Sequence, residues 1–131
     1  MNAPAATRPL RILLVENHTD TRTTLTLLLA MLGHEVRSAV SVGDGLQALA
    51  EFAPDVLLSD IGLPDGDGWE LLSQIKQPQP FYAVAMSGYG MRADRERSAM
   101  AGFKQHLVKP LAVEDIEKML DEAARELDLA R

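Results

Sequence analysis

Four short apolar runs, each ending in a polar group, constrain this chain more than any other feature. Ile12-Leu13-Leu14-Val15 leads into Glu16-Asn17, and Val56-Leu57-Leu58-Ser59 into Asp60. Ala83-Val84-Ala85-Met86 leads into Ser87, and Leu107-Val108 into Lys109-Pro110. Apolar runs without strict alternation suit strands covered on both faces, the environment of a parallel α/β sheet. In such sheets reactive groups collect outside the carboxyl ends of the strands. The four tips then lie side by side, and acids, a hydroxyl and a lysine gather around Asp60. That set of side chains suits a divalent cation and a phosphoryl group.

The segments between the runs read as helices. Leu25, Leu28, Leu29 and Leu32 recur at i, i+3, i+4 and i+7, which predicts a helix over 20–31 stopped by Gly33. Glu35 to Val40 is a more polar strand, as expected at a sheet edge. Ser41 and Asp44 mark a second helix start, with Leu46, Leu49, Ala50 and Phe52 inward and an end before Pro54. Gly62-Leu63-Pro64-Asp65-Gly66-Asp67-Gly68 is dense in turn formers and reads as a loop. A third helix over 68–76 turns Leu71, Leu72 and Ile75 inward and is closed by Pro78 and Pro80. Phe81 to Met86 is the fourth strand. Residues 91–101 form a charged, weakly amphipathic helix whose anchoring should be poor, and 106–108 the last strand. The final helix puts Val113, Ile116, Leu120, Ala124 and Leu127 on one stripe. Five strands alternating with five helices predict a flavodoxin-like (βα)5 three-layer sandwich. Its parallel five-stranded sheet takes the order 2-1-3-4-5, with the most apolar strands central.

Composition narrows the function. A chain of 131 residues favours one domain, with residues 1–8 as a flexible tail and 9–131 as the folded unit. Cysteine is absent, which excludes disulfides and thiolate metal sites. The net charge of -6 argues against a nucleic-acid surface and agrees with cation binding. No apolar stretch approaches the ~18 residues of a membrane span. The start lacks the regions of a signal peptide, so the protein reads as cytoplasmic. His18 and His34 read as surface residues, and Trp69 as packing for the third helix. Asp65-Gly66-Asp67-Gly68 lacks the acid spacing of an EF-hand and reads as the turn that starts that helix.

Taken together and in this order, these motifs resemble the response-regulator receiver domain, the CheY-like family. They are Leu14-Val15-Glu16-Asn17, Asp60 with Leu63-Pro64-Asp65-Gly66-Asp67-Gly68 downstream, Ser87-Gly88 and Lys109-Pro110. The resemblance covers about 9–127, and the runs 62–69 and 106–110 are similar to receivers of hybrid histidine kinases. It implies that Asp60 is the phosphoacceptor. Glu16, Asn17 and Asp60, with the backbone carbonyl of Gly62, would hold Mg²⁺. Ser87 and Lys109 would bind phosphoryl oxygens, and His106 stands where receivers usually carry an aromatic switch residue. The Lys109-Pro110 bond resembles a family position that is often cis. The implied partners are a sensor histidine kinase or histidine phosphotransfer domain and a downstream protein target, with room for a phosphorylation-dependent homodimer. Neither nucleic acid nor membrane is bound directly. The implied role is a switch in a phosphorelay, without turnover of an external substrate.

One departure stands out. Receivers usually have two acids after the first strand, and here Asn17 follows Glu16. Asn17 offers an oxygen without charge, so Mg²⁺ binding should be weaker. The alternative reading is a degenerate receiver that acts as a phosphate-independent protein-binding module. A phosphate-ester hydrolase of the haloacid dehalogenase type would need a second Asp two positions after Asp60, where Gly62 stands. Gly62 leaves the phosphoryl site open to water while Tyr89 could shield it, and the two effects oppose one another.

Overall fold

The computed structural model describes residues 8–75, 81–88 and 92–129. The expectations for Tyr89, for the third-helix end at Pro78 and Pro80, and for residues 1–7 lie outside them. Arg8, the last residue of the expected tail, pairs with Asp128 at 3.0 Å.

The elements follow in the order β1 (Arg11–Val15), α1 (Thr19–Met31), β2 (Glu35–Ala39), α2 (Val42–Phe52) and β3 (Val56–Asp60). Next come β4 (Gly62–Leu63), β5 (Gly66–Asp67), α3 (Gly68–Ser73), β6 (Tyr82–Ser87), α4 (Arg92–Ala101), β7 (Gln105–Val108) and α5 (Val113–Leu129). The large sheet is parallel, in the order β2-β1-β3-β6-β7. Counting only its own strands, this is the expected 2-1-3-4-5. The loop expected over 62–68 folds into a separate antiparallel pair, β4 with β5.

Side chains leave each central strand to opposite faces in turn. Ile12, Leu14, Val56, Leu58, Val84 and Met86 therefore enter one core with Leu25 and Leu29 of α1 and Ile116, Met119 and Leu120 of α5. Leu13, Val15, Leu57, Ala83 and Ala85 enter the other with Val42, Ala48 and Phe52 of α2 and Leu71 and Leu72 of α3. Burial on both faces is why the sequence runs are continuously apolar.

Capping sets the helix ends. Gly33 has φ +97, and the amides of Gly33 and His34 reach Ala30 O and Leu29 O at 3.0 and 3.1 Å, closing α1. Ser41 accepts from the Asp44 amide, and Asp67 from the Glu70 amide, at the starts of α2 and α3. Asp65 adds its carboxylate to the Val42 and Gly43 amides.

Three sequence expectations shift. The inward face of α2 is Val42, Gly45, Ala48 and Phe52, while Leu46 and Leu49 lie at its margin and Ala50 is exposed. Gly45 explains the rotation. A Cβ there would stand 3.3 Å from Val15 Cγ2, so its absence lets the helix approach the sheet. Helix α3 ends at Ser73, short of residue 76. Its last turn tightens as the Ile75 amide bonds Leu72 O at 3.1 Å, an i−3 partner. On α5, Val113 is 42% exposed because it precedes the turn that meets the sheet, and Met119 and Ala123 join the buried stripe. Among the described side chains of α4 only Ser98 is fully buried, and Ala101 packs against the second core.

Candidate functional site

The sheet register assembles the site. Val15 pairs with Ser59, so Glu16 and Asp60 leave adjacent strand tips together. Asp60 pairs with Met86, which puts Ser87 one residue beyond on the other side. Ser87 pairs with Val108, and the Lys109 amide bonds Ser87 O at 2.7 Å. Chain direction at each tip is fixed by backbone alone.

Lys109 holds the centre. Its Nζ lies 2.5 Å from Glu16 Oε1 and 2.8 Å from Asp60 Oδ2. The Lys109–Pro110 peptide is cis. Both carboxylates are buried, and the lysine side chain is 18% exposed. Asp60 Oδ1 also accepts from the Gly62 amide at 3.2 Å. Glu16 Oε2 accepts from the His18 amide at 3.0 Å and faces His18 Nδ1 at 3.2 Å.

The electrostatics are those of two acids sharing one ammonium. Burial raises the Asp60 pKa above the ordinary carboxylate value; the charge of Glu16 adds to the rise, and Lys109 and the Gly62 amide offset it only in part. Burial also works against the Glu16 charge, but the bonds from Lys109 and His18 outweigh it and its pKa is lowered. Lys109 is disfavoured by burial, yet Asp60 and Glu16 outweigh that and raise its pKa.

Gly68 shows how tightly the backbone is drawn around Asp60. A Cβ on Gly68 would sit 2.6 Å from the Asp60 carbonyl oxygen, so α3 can begin here only with glycine. The resulting cleft, about 740 Å³, is lined by Asp60, Ser87, Lys109, His18, Trp69 and Asp94 among others.

Of the residues singled out in the sequence, Glu16, Asp60 and Lys109 meet directly, and Ser87 and Gly62 line the same cleft. Asn17 is exposed and stands outside the ion-paired group; its carbonyl accepts from Arg22 at 3.2 Å. His106 is half-buried with Nε2 2.8 Å from Ser87 Oγ.

Two expectations are corrected and one is extended. His18 is exposed, as expected for a surface residue, yet ligand atoms of Glu16, His18 and Asp60 all lie within 4.8 Å of one another. Its place two residues after Glu16 was the available signal. His34 is buried and its Nδ1 accepts from the Leu10 amide at 3.0 Å. Trp69 does more than pack α3; it lines the cleft, donates to Ser98 Oγ at 2.9 Å and lies under the Arg97 guanidinium at 4.0 Å.

The response regulator receiver domain matches over residues 12–121. The chain belongs to this family. It is 31% identical over 103 residues to an uncharacterized 14.6 kDa protein of Leptolyngbya boryana, covering 76% of this chain and 79% of that protein. It is 30% identical over 114 residues to the KDP operon transcriptional regulatory protein KdpE of Escherichia coli, covering 87% of this chain and only 51% of KdpE. The CheY-like receiver domain protein of Methanospirillum hungatei superposes with a TM-score of 0.87 at 27% identity, covering 94% of this chain and 99% of that one. Receiver domains are signalling switches of two-component systems, and this receiver carries a buried acid cluster at the expected strand tips. No helix among the described residues is long and apolar enough to cross a membrane.

Proposed function

We propose that Asp60 accepts a phosphoryl group from the phosphohistidine of a sensor kinase or phosphotransfer protein, and that the chain thereby switches a surface read by a downstream protein. The observation that carries this is the Lys109 ammonium bridging Asp60 and Glu16 inside an open cleft that Ser87 also lines. An aspartate buried beside a second acid needs opposing positive charge to remain a nucleophile, and the fold brings a lysine to it from 49 residues away.

The donor set fits Mg²⁺. Glu16 and Asp60 offer hard carboxylate oxygens already gathered on one cation, and Mg²⁺ needs only one or two carboxylates because it keeps several waters. Glu16, Asp60, the Gly62 carbonyl and the Asn17 side chain would hold it. When bound, the ion neutralises charge on the phosphoryl oxygens.

The remaining steps belong to the chain. An Asp60 oxygen forms the new O–P bond as the donor's P–N bond breaks, and the electron pair stays on the donor imidazole. The aspartyl phosphate carries close to two negative charges. Lys109 moves from carboxylate to phosphoryl oxygen, and Ser87 donates to another. That shift draws Ser87 from His106 Nε2 and frees the ring to turn, altering the surface made by α4 and β7. Carrying a mostly inactive population to a mostly active one takes about 5.5 kcal/mol, supplied jointly by these bonds and the partner.

The test is intact mass after incubation with acetyl phosphate, with Mg²⁺ and with a chelator. The expected result is a single adduct of about 80 Da, the mass of one phosphoryl group, only with Mg²⁺. No adduct under either condition would instead favour a phosphate-independent binding module. Ser87→Ala should take up phosphate yet leave the environment of His106 unchanged on phosphorylation.

A further inference from the structure

Ser87, His106, Ser98 and Trp69 form one chain of hydrogen bonds across β6, β7, α4 and α3. His106 Nε2 lies 2.8 Å from Ser87 Oγ, and His106 Nδ1 lies 2.9 Å from Ser98 Oγ. Trp69 Nε1 donates to the same Ser98 oxygen at 2.9 Å. The register builds this contact. His106 pairs with Ala85, so it shares a sheet face with Ser87 two residues on. Helices α3 and α4 cover that face with Trp69 and Ser98.

Ser98 fixes the direction of the bonds. It is 1% exposed, so water does not satisfy its hydroxyl. Indole nitrogen only donates, so Ser98 Oγ accepts from Trp69. The Ser98 proton then needs an acceptor, and its other partner among the described residues is His106 Nδ1. Buried polar groups are almost always paired. Nδ1 is therefore an acceptor, the neutral ring carries its proton on Nε2, and Nε2–H donates to Ser87 Oγ. Ser87 accepts on its His106 side, which turns its own proton away from the ring and toward the cleft of Asp60. With the opposite tautomer, Ser98 would face two donors and its own buried proton would lack an acceptor among the described residues.

We propose that Trp69 and Ser98 are positioning residues for phosphoryl transfer: they fix His106 in the Nε2–H tautomer and thereby present Ser87 as a donor to the phosphoryl group on Asp60. The arrangement of the ring stands on geometry alone, whereas its use rests on the function proposed above. Nothing in the charge pattern of α4 announces it, since Ser98 is the one fully buried side chain among those described on this charged helix.

The test reads ¹⁵N imidazole resonances of the full chain at neutral pH, with His106 assigned by comparison with His106→Gln. The expected spectrum is a single tautomer with an unprotonated Nδ1 and a protonated Nε2. Ser98→Ala and Trp69→Phe should give averaged resonances, and Ser98→Thr, which keeps the hydroxyl, should restore the single tautomer. Phosphorylation by acetyl phosphate with Mg²⁺ should slow about fivefold in Ser98→Ala and Trp69→Phe, the size of one neutral hydrogen bond, and recover in Ser98→Thr. A wild-type ring protonated on Nδ1 would overturn the proposal. So would Ser98→Ala with an unchanged spectrum and rate. A wild-type chain that shows the Nε2–H ring but takes no phosphate would instead defeat the proposed function and leave the positioning of the ring intact.

Discussion

Removing the Lys109 charge should expose how much the two acids depend on it. In Lys109→Ala, Glu16 and Asp60 stay buried, each having lost a bond of 2.5 or 2.8 Å to the ammonium. Removing one partner of a buried ion pair costs about 3–5 kcal/mol. The lysine side chain is 18% exposed, so water replaces part of its role and the lower end, about 3 kcal/mol, applies. For a domain of this size that corresponds to roughly 10 °C in Tm. The assay is urea unfolding at neutral pH with a chelator, repeated with millimolar Mg²⁺. Mg²⁺ should stabilise Lys109→Ala more than wild type, because the ion replaces the missing charge. Adding Glu16→Gln to Lys109→Ala should recover most of the loss by removing the like-charge pair. The pH dependence has a fixed sign. Carboxylates left facing each other have folded pKa values above their unfolded ones, so their protonation stabilises the folded state. The deficit against wild type should therefore shrink as pH falls toward the ordinary carboxylate range near 4. A Lys109→Ala variant as stable as wild type in chelator, at every pH, would refute the shared-ammonium account.

Asn17→Asp should tighten Mg²⁺ binding about tenfold in a titration, since ~1.4 kcal/mol is a modest part of the ~4 kcal/mol between unit charges 4 Å apart at an effective dielectric near 20. An unchanged Kd would remove Asn17 from the cation site. Gly68→Ala should cost roughly 1–3 kcal/mol in a denaturant melt, because its Cβ would meet the Asp60 carbonyl at 2.6 Å and force α3 outward. Burial lowers the His34 pKa from its ordinary value of 6.5. Its contribution to stability is complete above 6.5 and is lost as pH falls from there through the lower folded value. His34→Gln should flatten that slope in a series of thermal melts.

The sheet was legible because its central strands are buried on both faces, which leaves continuous apolar runs in the sequence. The polar tips were legible for the same reason: each run ends abruptly at Glu16, Asp60, Ser87 or Lys109. Helix faces were less so. The inward face of α2 turns on Gly45, whose effect is an absence of volume that hydrophobic periodicity does not record. His18 and His34 lack an apolar context, yet one joins the acid cluster and the other accepts a buried backbone bond. Ser98 and Trp69 come together with His106 only through the stacking of α3 and α4 on one sheet face. Such contacts depend on helix placement, which the local sequence of α4 does not encode.

Peptide-level mapping of the phosphoryl group after reaction with acetyl phosphate and Mg²⁺ bears most directly on the central role of Asp60. The expected outcome is a single modified peptide containing Asp60, absent from Asp60→Asn under the same conditions. Modification elsewhere in the chain, or an adduct that persists in Asp60→Asn, would contradict it.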